Sequence, residues 1–222
     1  MKPINVIISW SSGKDSALTL MKLLDDTSFN VMGLYTTYVG SDVPYQGTPL
    51  AVLYKQAELI GLPLVTIELP EVFPSNEVYQ RTVIDGLNQS NLNIEAVAFG
   101  DMFHNGIADY RKSYIEPAGM KCVFPLIGID SAILADEIIN SGIQTFIATT
   151  HKQYLGDDFA GHWYTKNLIE RLPVGVDPCG ENGEFHTLVV DAPFFTEKLE
   201  LTYTYKETLD GFCYQRYRLD IP

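Results

Sequence analysis

The sequence is poor in cysteine, in basic residues and in long apolar runs. Three cysteines occur in 222 residues, and none forms a Cys-x-x-Cys pair, so the usual zinc and redox-dithiol spacings are missing. Lys and Arg number 15 against 28 Asp and Glu, a formal net charge of −13. Proteins that bind free DNA or RNA normally show the opposite balance. We expect reduced thiols and no free nucleic-acid ligand.

The sequence also contains no stretch with the features of a membrane span or a signal peptide. No stretch approaches the roughly 18 apolar residues of a membrane span, and the apolar start at residues 4–8 is too short for a signal-peptide core. Hydrophobic residues make up 46% of the chain and charged residues 19%, a composition that can fill a core. We expect a cytoplasmic globular protein with no membrane partner.

The first half of the chain alternates short β-branched runs with amphipathic segments, which is typical of βαβ units on a parallel sheet. The predicted strands span residues 6–9, 31–37, 64–69, 96–100 and 122–126. The predicted helices span residues 17–24, 50–60, 75–89 and 106–118. For the second helix, Thr48 is the predicted N-cap, Pro49 the first-turn residue and Gly61 the stop.

From residue 128 the regular alternation of predicted strands and helices ends. A fifth helix is predicted over residues 130–142, a strand over 144–149 and a helix over 163–172, followed by strands over 186–190, 199–206 and 211–219, the last two as a hairpin. The sequence therefore predicts an α/β protein of two closely packed domains. Residues 1–127 form a five-stranded parallel sheet with helices on both faces, and residues 128–222 form a smaller α+β domain.

The first predicted strand is followed by Ser11-Ser12-Gly13-Lys14-Asp15-Ser16, and the first helix begins inside this segment. Small residues let the backbone approach a ligand, and free N–H groups at a helix start favour an anionic phosphate. A Walker A loop would need a glycine in place of Ile8 and a Ser or Thr in place of Asp15, and a dinucleotide fingerprint would need three glycines. The alternative is a small-residue turn before an ordinary helix.

This segment resembles the Ser-Gly-Gly-x-Asp-Ser signature of the pyrophosphate-loop (PP-loop) ATPases, the adenine nucleotide alpha hydrolase-like superfamily. Those enzymes cleave ATP between the alpha and beta phosphates. Ser12 stands where the family usually has its second glycine, which alters the φ preference of the loop. The resemblance implies a HUP-like, Rossmann-like fold for the first domain.

Further segments resemble one branch of that superfamily, the diphthine–ammonia ligase family with its short bacterial and archaeal relatives. The resemblance covers nearly the whole chain. It is carried by Phe99-Gly100-Asp101, Asp109-Tyr110, Tyr114-Ile115-Glu116, Phe124-Pro125-Leu126, the stretch Cys179-Gly180-Glu181-Asn182-Gly183-Glu184-Phe185-His186-Thr187-Leu188-Val189, and Asp191-Ala192-Pro193-Phe194-Phe195.

In that family, ATP adenylates a carboxylate, that of diphthine on translation elongation factor 2, and ammonia then displaces AMP to leave an amide. The resemblance implies ATP, ammonia and a carboxylate substrate as partners and Mg²⁺ as a cofactor. Two alternatives stay open. The chain could act on a different small-molecule or protein substrate, or it could be a module that binds ATP without turning it over. Transfer RNA thiolation is disfavoured by the charge and by the missing cysteine pair.

The resemblance also implies residue roles. Around the ATP phosphates it places Ser9, Ser11, Ser12, Gly13, Lys14, Asp15 and Ser16, and beside the adenosine Tyr35, Thr36, Thr37, Phe99 and Gly100. Asp15 and Asp101 are the predicted magnesium ligands. The predicted catalytic residues are Asp101, His104, Glu116, Glu181, Glu184 and His186.

Several of these residues have structural alternatives. Asp101 also fits a helix cap, and His186 fits either a half-buried histidine or a general base. Glu181 and Glu184, flanked by glycines, could both point at one ammonium or metal ion or could be solvated turn carboxylates. Cys179 is predicted to be structural. The aromatic residues of the C-terminal tail could cover either the protein's own core or the surface of a second copy in a homodimer.

Overall fold

The computed structural model describes residues 2–44 and 46–220. Its strands are β1 (Ile4–Ser9), β2 (Phe29–Tyr38), β3 (Asp42–Val43), β4 (Thr48–Pro49), β5 (Leu64–Glu68), β6 (Ala96–Ala98), β7 (Lys121–Val123), β8 (Gln144–His151), β9 (Phe185–Asp191), β10 (Leu201–Leu209) and β11 (Phe212–Leu219). Its α-helices are α1 (Lys14–Asp25), α2 (Leu50–Ile60), α3 (Asn76–Gln89), α4 (Ile107–Ile115), α5 (Ser131–Asn140) and α6 (Lys166–Glu170), with 3₁₀ turns at Glu116–Ala118 and Asp157–Phe159.

Five strands form the predicted parallel sheet, in the order β5-β2-β1-β6-β7. The central strand β1 is buried on both faces because its residues are almost all apolar. Successive side chains point to opposite faces, so Val6 and Ile8 pack with α1, α2 and α5, whereas Ile7 packs with α3 and α4. The α/β fold class is therefore confirmed.

Four strands of the C-terminal part form an antiparallel sheet, in the order β10-β11-β8-β9. The predicted hairpin is present as β10 and β11, and its turn holds Asp210 at φ 50° and Gly211 at φ 82°. One face of α2 packs on this sheet through Val52 and Leu59, while Leu53 and Ala57 belong to the core beside the parallel sheet. Helix α2 thus joins the two sheets.

Some predicted boundaries are wrong. Thr48 does not cap α2, because it pairs with Val43 in the two-residue strand β4, and Pro49 takes the N-cap position without a side-chain hydrogen bond. The helix predicted over residues 163–172 is only five residues long, because the Thr165 hydroxyl caps it at the Leu168 N–H. The helix predicted over residues 75–89 begins one residue later, at Asn76, because the Ser75 hydroxyl accepts a hydrogen bond from the Val78 N–H and caps it.

The hydrophobic core is continuous between the two halves. One buried cluster contains Val6 and Leu18 from the first half together with Leu134, Phe185 and Val189 from the second. The division at residues 127 and 128 stays a prediction. Within residues 2–44 and 46–220, no helix is both long enough and apolar enough to cross a membrane.

Candidate nucleotide site

The loop between β1 and α1, residues 10–13, lies at the carboxyl end of the central strand, the usual place for ligands on an open parallel sheet. Ser12 adopts φ 72°, the left-handed conformation that favours glycine, and its side chain is fully buried. Its hydroxyl donates toward the Gln46 amide oxygen and the Thr48 hydroxyl, each at 3.3 Å. Ser12 therefore keeps the backbone shape that the family's glycine allows and points its side chain away from the cavity.

Hydroxyl oxygens occupy two backbone amides at the start of α1. The Lys14 N–H donates to the Thr187 hydroxyl oxygen at 3.1 Å, and the Gly13 N–H donates to the Ser11 hydroxyl oxygen at 3.3 Å. Both hydroxyls can rotate and donate their own hydrogen to a phosphate oxygen. Thr187 lies on β9, so the C-terminal sheet supplies part of this site. The residue belongs to the family-like stretch 179–189, but it was not among the predicted site residues.

Gln56 ties the β1–α1 loop to the C-terminal sheet. This fully buried side chain accepts a hydrogen bond from the Trp10 indole N–H at 2.9 Å and donates to the Val189 carbonyl at 2.7 Å. Its amide also donates to the Ser12 carbonyl at 3.4 Å, and the Val189 N–H donates to the same carbonyl at 2.9 Å. The loop is thereby held by α2 and β9 as well as by β1.

The larger of two cavities above the loop has a volume of about 520 Å³, within the range of small-molecule sites. Ser9, Thr36 and Thr37, all predicted ATP contacts, line this cavity at the strand ends. The remaining wall combines apolar and aromatic side chains with Asn76 and Arg111. Such a wall suits a planar base and a ribose.

The second cavity, of about 210 Å³, adjoins the first through Ser11 and Gln46. Gly13, Lys14 and Asp15 line it on one side, and Glu181, His186 and Thr187 are among the residues on the other side. Gly13 allows the close approach of β9, because a Cβ atom there would lie 3.1 Å from the Thr187 carbonyl oxygen. Four of the six residues of the loop motif, Ser11, Gly13, Lys14 and Asp15, therefore line this space, whereas Ser12 and Ser16 are buried outside the lining.

The Lys14 ammonium and the Asp15 carboxylate form a buried pair beside this cavity. Lys14 Nζ lies 2.8 Å from both Asp15 oxygens and within 6 Å of the ring centres of Tyr164 and Phe185. Burial raises the pKa of Asp15, although the Lys14 charge opposes this. A phosphate would therefore compete with Asp15 for the Lys14 charge.

The acidic loop, residues 177–184, places its two glutamates differently. The Glu184 side chain is buried and accepts hydrogen bonds from the Asp177 N–H at 3.0 Å, the Asn182 N–H at 2.8 Å and the Asn182 amide at 3.0 Å. Burial alone would raise the pKa of Glu184, but these hydrogen bonds lower it. Glu184 thus holds the loop in shape, and the expectation that both glutamates point at one spot is wrong.

Glu181 is the glutamate that lines the second cavity. Its pKa is raised to about 8 by burial first and by the charge of Asp15 second, with smaller contributions from Asp177 and Asp101. The carboxyl group is therefore largely protonated at neutral pH in the free protein, and a cation in the cavity would return it to the charged form.

His186 lies at the junction of the second cavity and a third one. Burial lowers its pKa to about 4, and the Lys14 charge adds to this effect. The imidazole is therefore neutral at physiological pH, with a nitrogen free of a proton, but a pKa this low makes it a weaker base than an unperturbed histidine. Its role stays a prediction.

Asp101 and Arg111 form an ion pair that the sequence reasoning missed. Arg111 Nε donates to the Asp101 carboxylate at 3.3 Å, its guanidinium lies 4.8 Å from the centre of the Phe99 ring, and it also lines the larger cavity. The available signal was its place between Asp109-Tyr110 and Tyr114 in the family-like segment. Among the residues that the structure describes, Asp101 lines neither of the two cavities.

Several further predicted site residues lie behind or beyond the cavity walls. Phe99 and Tyr35 are buried in the core, with Phe99 stacked on Phe124. Gly100 allows the close packing of its segment on the first turn of α1, because a Cβ atom there would lie 3.0 Å from the Asp15 carbonyl carbon. Glu116 is exposed on the 3₁₀ turn after α4.

His104 is exposed as well, in the segment after β6, where its ring lies against Gly128. Cys179 is buried and its thiol donates toward the Ser131 carbonyl at 3.2 Å. Burial raises the pKa of Cys179 to about 12, so the thiol is unreactive, in line with the predicted structural role. In the tail, Phe212 contacts His151 and Tyr217 contacts Phe146, so both rings pack on their own chain.

Comparison with known proteins identifies relatives of both halves. The family model of the diphthamide synthase N-terminal domain matches residues 4–122, and that of the C-terminal domain matches residues 130–218. A diphthine–ammonia ligase of Schizosaccharomyces pombe is 27% identical, with 91% of this chain and 36% of that protein aligned. One of Danio rerio is 28% identical, with 71% of this chain and 68% of that protein aligned. The chain spans about a third of the fission yeast protein and two thirds of the zebrafish one.

Solved structures show weaker likeness. A protein described as a predicted subunit of tRNA methyltransferase from Methanocaldococcus jannaschii has 19% identity and a TM-score of 0.43, with 65% of this chain and 78% of that chain covered. A U34-tRNA thiolase from Methanococcus maripaludis has 16% identity and a TM-score of 0.37, with 60% and 55% covered. Likeness at this level carries no information about activity. The two family matches, one over more than half of the chain, show that it belongs to the diphthamide synthase family, the PP-loop ATPases of the diphthine–ammonia ligase type.

Proposed function

We propose that this chain is an ATP-dependent ligase that adenylates a carboxylate, releases pyrophosphate and transfers the acyl group from AMP to ammonia. The observation that carries the proposal is that the two cavities adjoin at Ser11 and Gln46, and that the smaller one lies between the β1–α1 loop and Glu181. A free carboxylate resists attack by ammonia, whereas an acyl-adenylate loses AMP readily. The protein's contribution is therefore positioning and charge neutralisation.

In this proposal the nucleoside of ATP lies in the larger cavity and the phosphates lie over the β1–α1 loop. Thr36 and Thr37 offer hydroxyl groups to the nucleoside, while the first-turn amides of α1 and the Thr187 hydroxyl face the phosphates. Lys14 supplies the positive charge nearest to this space. Its pairing with Asp15 keeps the ammonium in place before the nucleotide arrives.

The residues present fit magnesium held jointly by protein and nucleotide. Asp15 and Glu181 line the second cavity, and the charge of Asp15 raises the pKa of Glu181, as expected of carboxylates that crowd one space. Within the described parts of the chain, no three His, Cys, Asp or Glu side chains lie close enough to hold a metal alone. Mg²⁺ usually takes one or two carboxylates, with phosphate oxygens and water completing its shell. When bound, it would neutralise the charge that builds on the departing pyrophosphate.

Asp15 and Glu181 are the ligands that we propose for this ion. Asp101, the other predicted ligand, is half-buried and already paired with Arg111, so it better serves to hold that arginine in the wall of the larger cavity.

The amidation step needs a place for ammonia and a proton acceptor. Glu181 can hold ammonium, because its carboxylate faces the second cavity among other acids. The Glu181 carboxylate takes one proton from the bound ammonium, which leaves ammonia. Ammonia attacks the acyl carbon, the bond from that carbon to the AMP oxygen breaks, and the nitrogen loses one further proton. Neutral His186, on the wall of the same cavity, is the group that we propose accepts that proton.

The test is product analysis. The purified protein is incubated with ATP, Mg²⁺, ammonium and an acceptor, first diphthine-bearing elongation factor 2 and then small carboxylic acids. We expect AMP and pyrophosphate in amounts equal to the amide formed. ADP as the nucleotide product would contradict the proposal, and amide on a small acid only would move the substrate assignment away from the elongation factor.

A second candidate function is a regulatory module that binds ATP without turnover. The observation that favours it is the occupation of the Lys14 and Gly13 amides by hydroxyl oxygens of the protein itself. Tight ATP binding with neither AMP nor ADP formed on any acceptor would support the module and contradict the ligase.

A further inference from the structure

Gln46 lies between β3 and β4, at the place where the two cavities of the nucleotide site adjoin. Among the residues that the structure describes, only Gln46 and Ser11 line both of these cavities. Gln46 lies outside the sequence segments that resemble the family, and the reaction proposed above uses none of its atoms. Its surroundings give it a role in that reaction.

The backbone at Gln46 is fixed by the C-terminal sheet. The Gln46 carbonyl accepts a hydrogen bond from the Thr149 hydroxyl of β8 at 3.0 Å. The next residue, Gly47, adopts φ 62° and packs against β11, where a Cβ atom would lie 2.9 Å from the Tyr214 ring and 3.1 Å from the Arg216 guanidinium. The side chain of Gln46 therefore starts from a fixed position.

One end of the Gln46 side chain is occupied by the protein and the other end is free. The amide oxygen accepts a hydrogen bond from the hydroxyl of the buried Ser12 at 3.3 Å. Within residues 2–44 and 46–220, the amide nitrogen has no hydrogen-bond partner. Its two N–H donors are thus available to a ligand. Ser12, the departure from the family's loop signature, fixes which end of the amide is left free.

We propose that the Gln46 amide donates hydrogen bonds to the α-phosphate of ATP and stabilises the charge on that phosphate during adenylation. The inference rests on the proposed function in one respect, the placement of the nucleoside in the larger cavity and of the β- and γ-phosphates in the smaller one. The α-phosphate, which joins them, then lies where the cavities adjoin, beside Ser11 and Gln46.

The adenylation step explains why donors are needed at this place. An oxygen of the acceptor carboxylate forms a bond to the α-phosphorus, the bond from that phosphorus to the oxygen bridging to the β-phosphate breaks, and pyrophosphate leaves with the electron pair. No proton is transferred. Donors that are held in place beforehand stabilise the charge on the α-phosphate oxygens without reorganisation. Because the amide is uncharged, the acids of the smaller cavity form no ion pair with it, in contrast to Lys14 and Asp15.

The test compares AMP with adenosine, because these two probes differ only in the α-phosphate. Calorimetry on the intact protein gives the dissociation constant of each probe. Q46M keeps the side-chain length without a donor, so we expect AMP to bind about fivefold more weakly. Q46E adds a negative charge beside the phosphate, and we expect AMP to bind more weakly by about tenfold or more. Adenosine should bind both variants as it binds the parent, which also shows that they are folded.

Q89M is the matched control. Gln89 is an exposed glutamine at the end of α3 that lines neither cavity, so Q89M should bind AMP and adenosine as the parent does. Equal weakening of AMP and adenosine by Q46M would overturn the proposal, because Gln46 would then only shape the cavity. AMP binding that is unchanged in both Q46M and Q46E would overturn it as well.

The two probes bind without turnover, so this outcome is separate from that of the product analysis, in which failure of the ligase proposal appears as ADP or as no product in the parent. Where the parent forms an amide, Q46M should lower kcat by about tenfold or more, and by a larger factor than it raises the KM of ATP. A normal kcat in Q46M would contradict the stabilisation of the reacting phosphate by Gln46.

Discussion

The β1–α1 loop and the acidic loop face each other across one cavity, yet they are shaped by different means. The first is held from outside, by Gln56 of α2 and by Thr187 and Val189 of β9. The second is held from inside, by the carboxylate of its own Glu184. Glu184, a predicted catalytic residue, is therefore structural in the acidic loop. The β1–α1 loop, in contrast, is completed by residues of α2 and β9 that lie far from it in the sequence.

The largest loss of activity is expected from a substitution at Gly13, where the β1–α1 loop packs against β9. G13V places a branched side chain against the Thr187 carbonyl, 3.1 Å from the Cβ position, and separates β9 from the loop. We expect ATP turnover to fall by about 100-fold or more. G156V is the control, because Gly156 has no atom within 4 Å of its Cβ position and a φ of −68°. Comparable loss in both variants would contradict the packing argument.

The same chemical change at two glutamates tests the division of labour inside the acidic loop. E184Q replaces an acceptor of three hydrogen bonds, so we expect a loss of about 1–3 kcal/mol in unfolding free energy and a disordered loop. E181Q should not lower the free energy of unfolding. It should keep ATP binding and reduce the rate of amide formation. Thermal melts and product assays on both variants separate these outcomes, and the reverse pattern would show that the two assignments are exchanged.

Gln56 allows a test of the external support. Q56M keeps the side-chain volume but leaves the Trp10 N–H and the Val189 carbonyl without their partner, at a cost of about 2 kcal/mol. We expect the dissociation constant of ATP to rise more than the acceptor KM changes, because the loop loses its shape. Q144M, at an exposed glutamine bonded to Asp191, serves as the control. A drop in stability without any change in ATP affinity would assign Gln56 to the core alone.

The stability of the protein should depend on pH through the ionisation of Glu181. Its folded pKa of about 8 lies above the value of 4.5 for an unperturbed carboxyl, so the unfolded state loses its proton first as pH rises. The stabilising contribution is complete below pH 4.5 and disappears as pH rises through 8. E181Q should therefore melt higher than the parent at pH 8 by about 3–5 °C, with little difference at pH 4.5. An unchanged difference across this range would show that Glu181 is not buried among acids.

The smallest effect is expected for S12G. Glycine removes the cost of a left-handed residue but also removes the hydroxyl contacts to Gln46 and Thr48, so we expect stability within about 1 kcal/mol of the parent. ATP affinity should be unchanged or slightly improved. A large loss of affinity, measured by calorimetry, would mean that the Ser12 hydroxyl contacts the nucleotide after all.

Local patterns in the sequence predict much of this fold. The apolar run of β1, the helix α2 over residues 50–60 and the hairpin of the last two strands depend on neighbours within a few positions, and the structure contains all three. Thr48 failed as a cap because it pairs with Val43 and because its buried hydroxyl accepts a hydrogen bond from Ser12, 36 residues away along the chain. Short-range rules cannot weigh a helix cap against a distant contact of that kind.

The site was predicted less completely than the fold, for a similar reason. The loop motif identifies the phosphate side, but Gln56 lies outside every motif, and Arg111 and Thr187 lie inside family-like segments that do not distinguish them from their neighbours. Gln56 and Thr187 act through Val189 and Lys14, which are far from them along the chain.

Glu181 and Glu184 flank Asn182 and Gly183 and look equivalent in the sequence. The N–H groups of Asp177 and Asn182 bind the Glu184 carboxylate inside the loop, and Glu181 is left to line the cavity. The positions of these N–H groups are set only when the loop is folded.

The hydrogen bond between the Lys14 N–H and Thr187 joins positions 173 residues apart. During synthesis, the first half of the chain leaves the ribosome long before β9 does, and the β1–α1 loop cannot take its final form in that interval. A nascent chain would therefore lack the Thr187 side of the site until β9 has left the ribosome, and ATP capture with full affinity would begin only after that point.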